Sequence, residues 1–100
     1  MSTMSGAIID AVDVALIVFS YPQFSHPREM MRNIFESLRP GGRAVLVEYR
    51  GEDPTIPVDA IYRITQEQAR RELQAVGFKW RETRDILPQQ HFMVFEKPFS

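Results

Sequence analysis

The sequence predicts an α/β domain of about four strands, two parallel and two in a terminal antiparallel hairpin, with two helices on one face. Three observations carry this. The apolar runs Val14–Phe19 and Ala44–Val47 are continuous rather than alternating, as in strands of a covered parallel sheet. Between them, Met30, Met31, Ile34, Phe35 and Leu38 recur at helical spacing, which makes one apolar helix face. Strand, helix, strand at this spacing is a right-handed parallel crossover.

The elements follow in order. Residues 1–6 are small and polar and are expected to be disordered. Residues 13–19 form the first strand, with a short buried helix as the other reading of so short an apolar run. The helix starts at Pro27, where a missing N–H costs nothing, and Pro40, Gly41 and Gly42 stop it and supply a turn. The second strand covers 43–49. Residues 51–64, with Pro54 and Pro57, form a connection of a length that often carries function or mobility. Thr65 caps the second helix, with Gln68 completing a capping box. Ala69, Leu73 and Val76 form its inner stripe, and Gly77 ends it. Strands at 78–86 and 91–97 flank "LPQQ", short enough to force an antiparallel hairpin.

Composition narrows the function. One hundred residues make one small domain, 1–100, with a modest core. The net charge of −1 with both signs interspersed gives no basic face for nucleic acid or anionic lipid. The chain has no cysteine, which excludes disulfides and cysteine-based metal sites and permits a cytoplasmic location. No Lys or Arg precedes Arg28, so no secretory leader is expected, and the longest apolar run is far below the roughly 20 residues of a membrane span.

Four stretches, "DVALIVFSYPQFSHP", "LRPGGRAVLVEYR", "QARRELQAVGF" and "HFMVFEKP", resemble the C-terminal half of a class I S-adenosylmethionine-dependent methyltransferase. The resemblance covers residues 9–98. It implies half of a Rossmann-like sheet, strands four to seven of seven, with the last inserted antiparallel beside the fifth. It also implies that the glycine-rich donor turn after the first strand belongs to the other half. The sequence contains no Gly-x-Gly-x-Gly, and its adjacent glycines, Gly41 and Gly42, enter a strand rather than open a helix, the wrong place to cradle a nucleoside.

The same resemblance names candidate residues. The loop "SYPQF" borders the donor and substrate pocket in related enzymes, so Ser20, Tyr21 and Phe24 are candidates for cofactor binding. Where similar members carry an acid, a His and a Glu, this chain has Phe19, Pro22 and Gln23, none able to transfer a proton. Tyr21 lines the pocket or packs beneath the loop. Glu48, Tyr49 and Arg50 stand where sites of open parallel sheets lie, or are a solvated strand end. His91, at the hairpin tip, approaches the active-site end or is simply exposed. Glu48, Tyr49 and His91 are therefore the substrate-side candidates. His26 reads as a cap or surface residue, Asp53 as shaping the turn before Pro54, Arg70 and Arg71 as a solvated helix back, and Trp80 as core or interface. No carboxylate stands at a spacing that would join the histidines in a metal site, so no metal is expected.

A sheet of this kind is apolar on both faces, while both helices fall on one. The other face and the edge strand 13–19 are then left bare. A homodimer or a completing partner chain is the expected consequence. Two function classes follow: a methyltransferase-like enzyme whose S-adenosylmethionine site is completed by another chain, or a non-catalytic dimerisation or protein-interaction module. A shortened chain is a third origin for the same features.

Overall fold

The computed structural model describes residues 12–19, 21–23 and 25–99. The chain runs through β1 (Val12–Val18), α1 (Pro27–Ser37), β2 (Leu38–Arg50), β3 (Arg63–Ile64), α2 (Gln66–Val76), β4 (Lys79–Arg84) and β5 (Gln90–Glu96). Single 3-10 turns lie at Tyr21–Gln23 and Ala60–Tyr62. The strand order is β1-β2-β5-β4, with β3 beside β2. β1 and β2 are parallel, and β5 is inserted antiparallel between β2 and β4. This is the order that the resemblance implies.

Both helices pack on one face. Met31 and Ile34 of α1 and Ala69 and Leu73 of α2 share a core with Ala15, Ile17, Ala44, Leu46, Met93 and Phe95 from the sheet. Burial along β1 therefore alternates. Val12, Ala15 and Ile17 are buried, while Val14, Leu16 and Val18 on the opposite face are 40–51% exposed. The continuous apolar run describes a strand suited to cover on both sides, of which the described residues supply one.

Several boundaries differ from the sequence reading. Met30, assigned to the inner face of the first helix, is exposed, because that face is centred on Met31 and Ile34. The helix ends at Ser37, before Pro40. Leu38 is already extended and pairs with Val12, so β2 begins ahead of the Pro-Gly-Gly turn. Pairing then skips from Val12↔Leu38 to Val14↔Arg43, and the turn is an outward bulge inside the strand. Gly41 sits at φ +83°, and a Cβ there would meet the Phe99 ring at 2.5 Å. Its N–H bonds the Lys97 carbonyl at 2.7 Å, and Gly42 accepts from the Lys97 N–H at 2.8 Å. The glycines let the C-terminal segment lie against the bulge.

The 51–64 connection is less open than its prolines suggest. Its end forms β3, which pairs with Tyr49 and Arg50. Since β5 occupies the other side of Tyr49, β3 lies on the β1 side of β2, beyond the last β1 pair at Val47. The sheet thus has a fifth, two-residue strand that the sequence reading did not include. Thr65 caps α2 by accepting the Gln68 N–H at 3.1 Å, as expected, and Gly77 ends it at φ +124°. The first hairpin strand is shorter than read and the second starts one residue earlier, with residues 85–89 connecting them. No described helix is long and apolar enough to cross a membrane.

Candidate functional site

The C-terminal ends of β1 and β2 carry the chemistry. Inward alternation along β2 places Ala44, Leu46 and Glu48 on the helix side, so Glu48, two residues before the strand's end, is fully buried. It is neither solvated nor open to a ligand from the strand end. Its Oε2 accepts the backbone N–H of Tyr21 at 3.0 Å, which anchors the turn after β1 to β2.

Tyr21 is itself buried, and its hydroxyl donates to Glu72 Oε1 on α2 at 2.5 Å. Glu72 Oε2 accepts from the Gln68 side-chain amide at 2.9 Å. The Gln68 side chain thus serves Glu72 through its NH2 group. Burial, and then the neighbouring Glu72 carboxylate, push the Tyr21 phenol well above its ordinary range. It is a donor at physiological pH and cannot act as a base.

His91 lies across from Glu48 in the β2–β5 register and is buried rather than exposed at the hairpin tip. Its Nε2 meets Glu52 Oε1 at 2.9 Å, and Glu52 Oε2 accepts the N–H of Gln66 at 2.7 Å, in the first turn of α2. Burial opposes the charge on Glu52, but the Gln66 N–H and His91 outweigh it and hold the carboxyl below its ordinary range. Tyr21, Glu48 and His91 are thus gathered on the helix side of one sheet edge, with Glu52, Gln68 and Glu72 around them.

Tyr49 points to the opposite face. Its ring stacks on Phe19 at 4.9 Å, and Phe19 has a left-handed backbone, φ 53°, uncommon for an aromatic residue. The Phe19 N–H still bonds the Val47 carbonyl at 2.9 Å. Ser20 and Phe24 lie outside the described residues. Arg50 is a clamp on the hairpin connection, bonding the carbonyls of Pro88 and Leu87 at 2.9 and 2.8 Å and Asp85 at 2.6 Å.

The remaining assignments sort simply. Asp53 accepts from the Thr55 N–H and hydroxyl at 2.9 and 2.6 Å, the turn-shaping role expected of it; the Thr55 hydroxyl leads in holding its carboxyl below the ordinary range. His26 precedes α1 without a side-chain cap. Trp80 packs on the core and donates to Thr83 at 3.0 Å. The Arg70 guanidinium lies 4.1 Å over its ring, so Arg70 is a packed residue, unlike the exposed Arg71.

Two clefts flank the Tyr21–Glu72 bridge. One of about 300 Å³ is lined by Pro22, Ile61, Arg63 and Gln68 as well as the bridge residues. The other, about 350 Å³, is lined by Pro27, Arg28, Arg71 and Ala75. Sequence reasoning missed Glu52, Gln68 and Glu72. Gln68 and Glu72 stand four apart on one helix face, a signal that was legible; the fold alone brings Glu52 to His91. No group of three metal-ligating side chains is found among the described residues.

No protein-family model and no curated protein matches the sequence. Solved structures do match. A Sulfolobus solfataricus protein assigned to the type 11 methyltransferases superposes with TM-score 0.81 and 16% identity, over 100% of this chain and 58% of its own. A SAM-dependent methyltransferase from Aquifex aeolicus gives 0.79 and 10%, over 97% and 53%. The cyclase SpnF gives 0.80 and 17%, over 100% and 55%. The fold is therefore that of the C-terminal half of a class I S-adenosylmethionine-dependent methyltransferase domain. The chain spans a little over half the length of these three proteins.

Proposed function

We propose that these 100 residues form the supporting half of a methyltransferase-type domain and do not by themselves hold S-adenosylmethionine. The observation that carries this is the absence of any Gly-x-Gly-x-Gly in the sequence. Without a glycine-rich turn leaving a strand and opening a helix, the described residues lack the usual cradle of backbone N–H groups for the donor. The polar groups at the sheet edge do not replace it. Glu48 is taken up by Tyr21, Tyr21 by Glu72, and His91 by Glu52. The described residues therefore do not fit the donor, and no transfer step is assigned to them. In this reading Ser20, Tyr21 and Phe24 would border a donor site completed by another segment or chain, with Tyr49 as the substrate-side candidate on the open face.

A second reading is favoured by the pairing of the polar groups within the chain. The Tyr21 hydroxyl is committed to Glu72, and Phe19 and Pro22 carry no proton to transfer. A non-catalytic interaction module, using the open sheet face or the 13–19 edge, is consistent with this, as is a cytoplasmic location for a cysteine-free chain.

Isothermal titration of the protein with S-adenosylmethionine tests the proposal. No saturable heat is expected up to millimolar donor. Saturable binding near one donor per chain would overturn it.

A further inference from the structure

The exposed apolar side chains of the sheet concentrate on one strand. Val14, Leu16 and Val18 of β1 are 44, 51 and 40% exposed, and no described strand lies beyond β1 in the sheet order. In a parallel ladder alternate residues bond one neighbour. The Phe19 N–H reaches Val47 of β2, so Ala15 and Ile17 also face β2. Val14 and Leu16 turn their N–H and C=O groups away from it.

The segment Val14-Ala15-Leu16-Ile17-Val18 is close to a palindrome in side-chain character. Turned end for end about Leu16, it places Val against Val on the open face, Ala against Ile on the helix face, and Leu16 on itself. An isologous interface requires this kind of self-complementarity. Charge agrees with it. The one ionisable group of β1 is Asp13, which pairs with Arg39 of its own chain at 3.6 Å. In the turned register Asp13 faces the partner's Phe19, so no like charges oppose each other. The strand also lacks the Lys, Pro or inward charge that keeps an edge from pairing.

We propose that β1 pairs antiparallel with β1 of a second copy of this chain, with the two-fold axis at Leu16. The two Leu16 residues exchange N–H···O bonds across the axis, and each Val14 packs against the partner's Val18. This deepens the interaction-module reading and rests on it: in a whole methyltransferase domain the sheet continues past the strand equivalent to β1, so self-pairing and donor-half docking exclude each other.

The register makes a sharp test, because the chain has no cysteine of its own. A hydrogen-bonded antiparallel pair at the axis has Cα atoms about 5.5 Å apart, inside the span a disulfide bridges. Two Val14 residues would be offset by four positions, about 13 Å along the strand. Under mild oxidation, Leu16→Cys is expected to give a covalent dimer on non-reducing gels and Val14→Cys alone at least tenfold less. Light scattering at micromolar concentration is expected to give a dimer for the wild type. Leu16→Lys should weaken it at least tenfold with an unchanged circular dichroism spectrum. A monomeric wild type, or equal cross-linking by Leu16→Cys and Val14→Cys, would overturn the proposal. The cross-link does not depend on Leu16→Lys folding. Failure here leaves the donor titration unaffected, so the two readings fail separately.

Discussion

The two edges of the sheet follow opposite rules. β4 reads Lys-Trp-Arg-Glu-Thr-Arg and is charged at four of six positions. It is broken by a register shift between Trp80 and Glu82. Arg81 pairs with Glu96 at 3.2 Å and Arg84 with Glu82 at 3.0 Å. Charge and a bulge are the usual means by which a strand refuses a neighbour. β1 has one acid and five successive apolar residues from Val14 to Val18. The lesson is that β4 is built to end a sheet and β1 is built to sit inside one. The helix-side core beneath both is shared, so the difference lies in what each strand shows outward.

The contrast sharpens first in stability, measured at one fixed protein concentration so that association does not intrude. Ile17 holds β1 through apolar burial, at 6% exposure. Ile17→Ala is expected to cost about 2–4 kcal/mol in urea unfolding, from lost transfer energy and the cavity left behind. Arg81 holds β4 through a solvent-facing ion pair, and Arg81→Ala is expected to cost less than about 1 kcal/mol. Equal losses at the two sites would remove the distinction between a packed strand and a charge-guarded one.

A smaller effect is expected where β1 turns back toward the helices. Tyr21→Phe removes the hydroxyl that donates to Glu72 and keeps the ring and the backbone bond to Glu48. About 1–2 kcal/mol should be lost, the range for a hydrogen bond to a charged acceptor that is partly solvated. The pH dependence gives an independent check. The fold favours the protonated phenol, so its stabilisation is complete below the unfolded value of 10.0 and declines as pH rises above it. Wild type should lose stability above pH 10 more steeply than Tyr21→Phe. Parallel curves would place the hydroxyl in water rather than against Glu72.

Fold and site were legible to different depths, for a physical reason. The parallel pair and helix placement follow from patterns local in sequence: the Val14–Phe19 run, the Met31–Ile34 stripe, the cap at Thr65 and Gly77; the place of β5 between β2 and β4 follows from the family resemblance. The bulge at 39–42 was hidden because Pro-Gly-Gly reads alike whether it precedes a strand or interrupts one; only the pairing of Leu38 with Val12 decides. The site was less legible still, since burial reverses the meaning of a residue. Glu48 and His91 read either as site groups or as solvated strand-end groups, yet they are buried, inward-facing partners in register. Their neighbours Glu52 and Glu72 reach them across 39 and 51 residues of sequence respectively, through His91 and Tyr21. No local pattern encodes contacts of that range.

The smallest expected effect belongs to Glu52, which ties the long connection to β5 and to the start of α2. Its carboxyl is held below the ordinary carboxylate value of 4.5 in the fold. A lowered carboxyl contributes stability above the unfolded value and loses it as pH falls through the folded one. Glu52→Gln keeps an oxygen for the Gln66 N–H and removes the charge facing His91. The wild type should therefore exceed the variant in urea midpoint above pH 4.5, and the two should converge as pH drops below it. Because the Glu52 side chain is 47% exposed, solvent screening holds the difference under about 1 kcal/mol. A difference independent of pH would mean that Glu52 acts through the geometry of its hydrogen bonds, with its charge contributing nothing. The connection would then still be tied to β5 and α2 through the Glu52 hydrogen bonds, as neutral contacts.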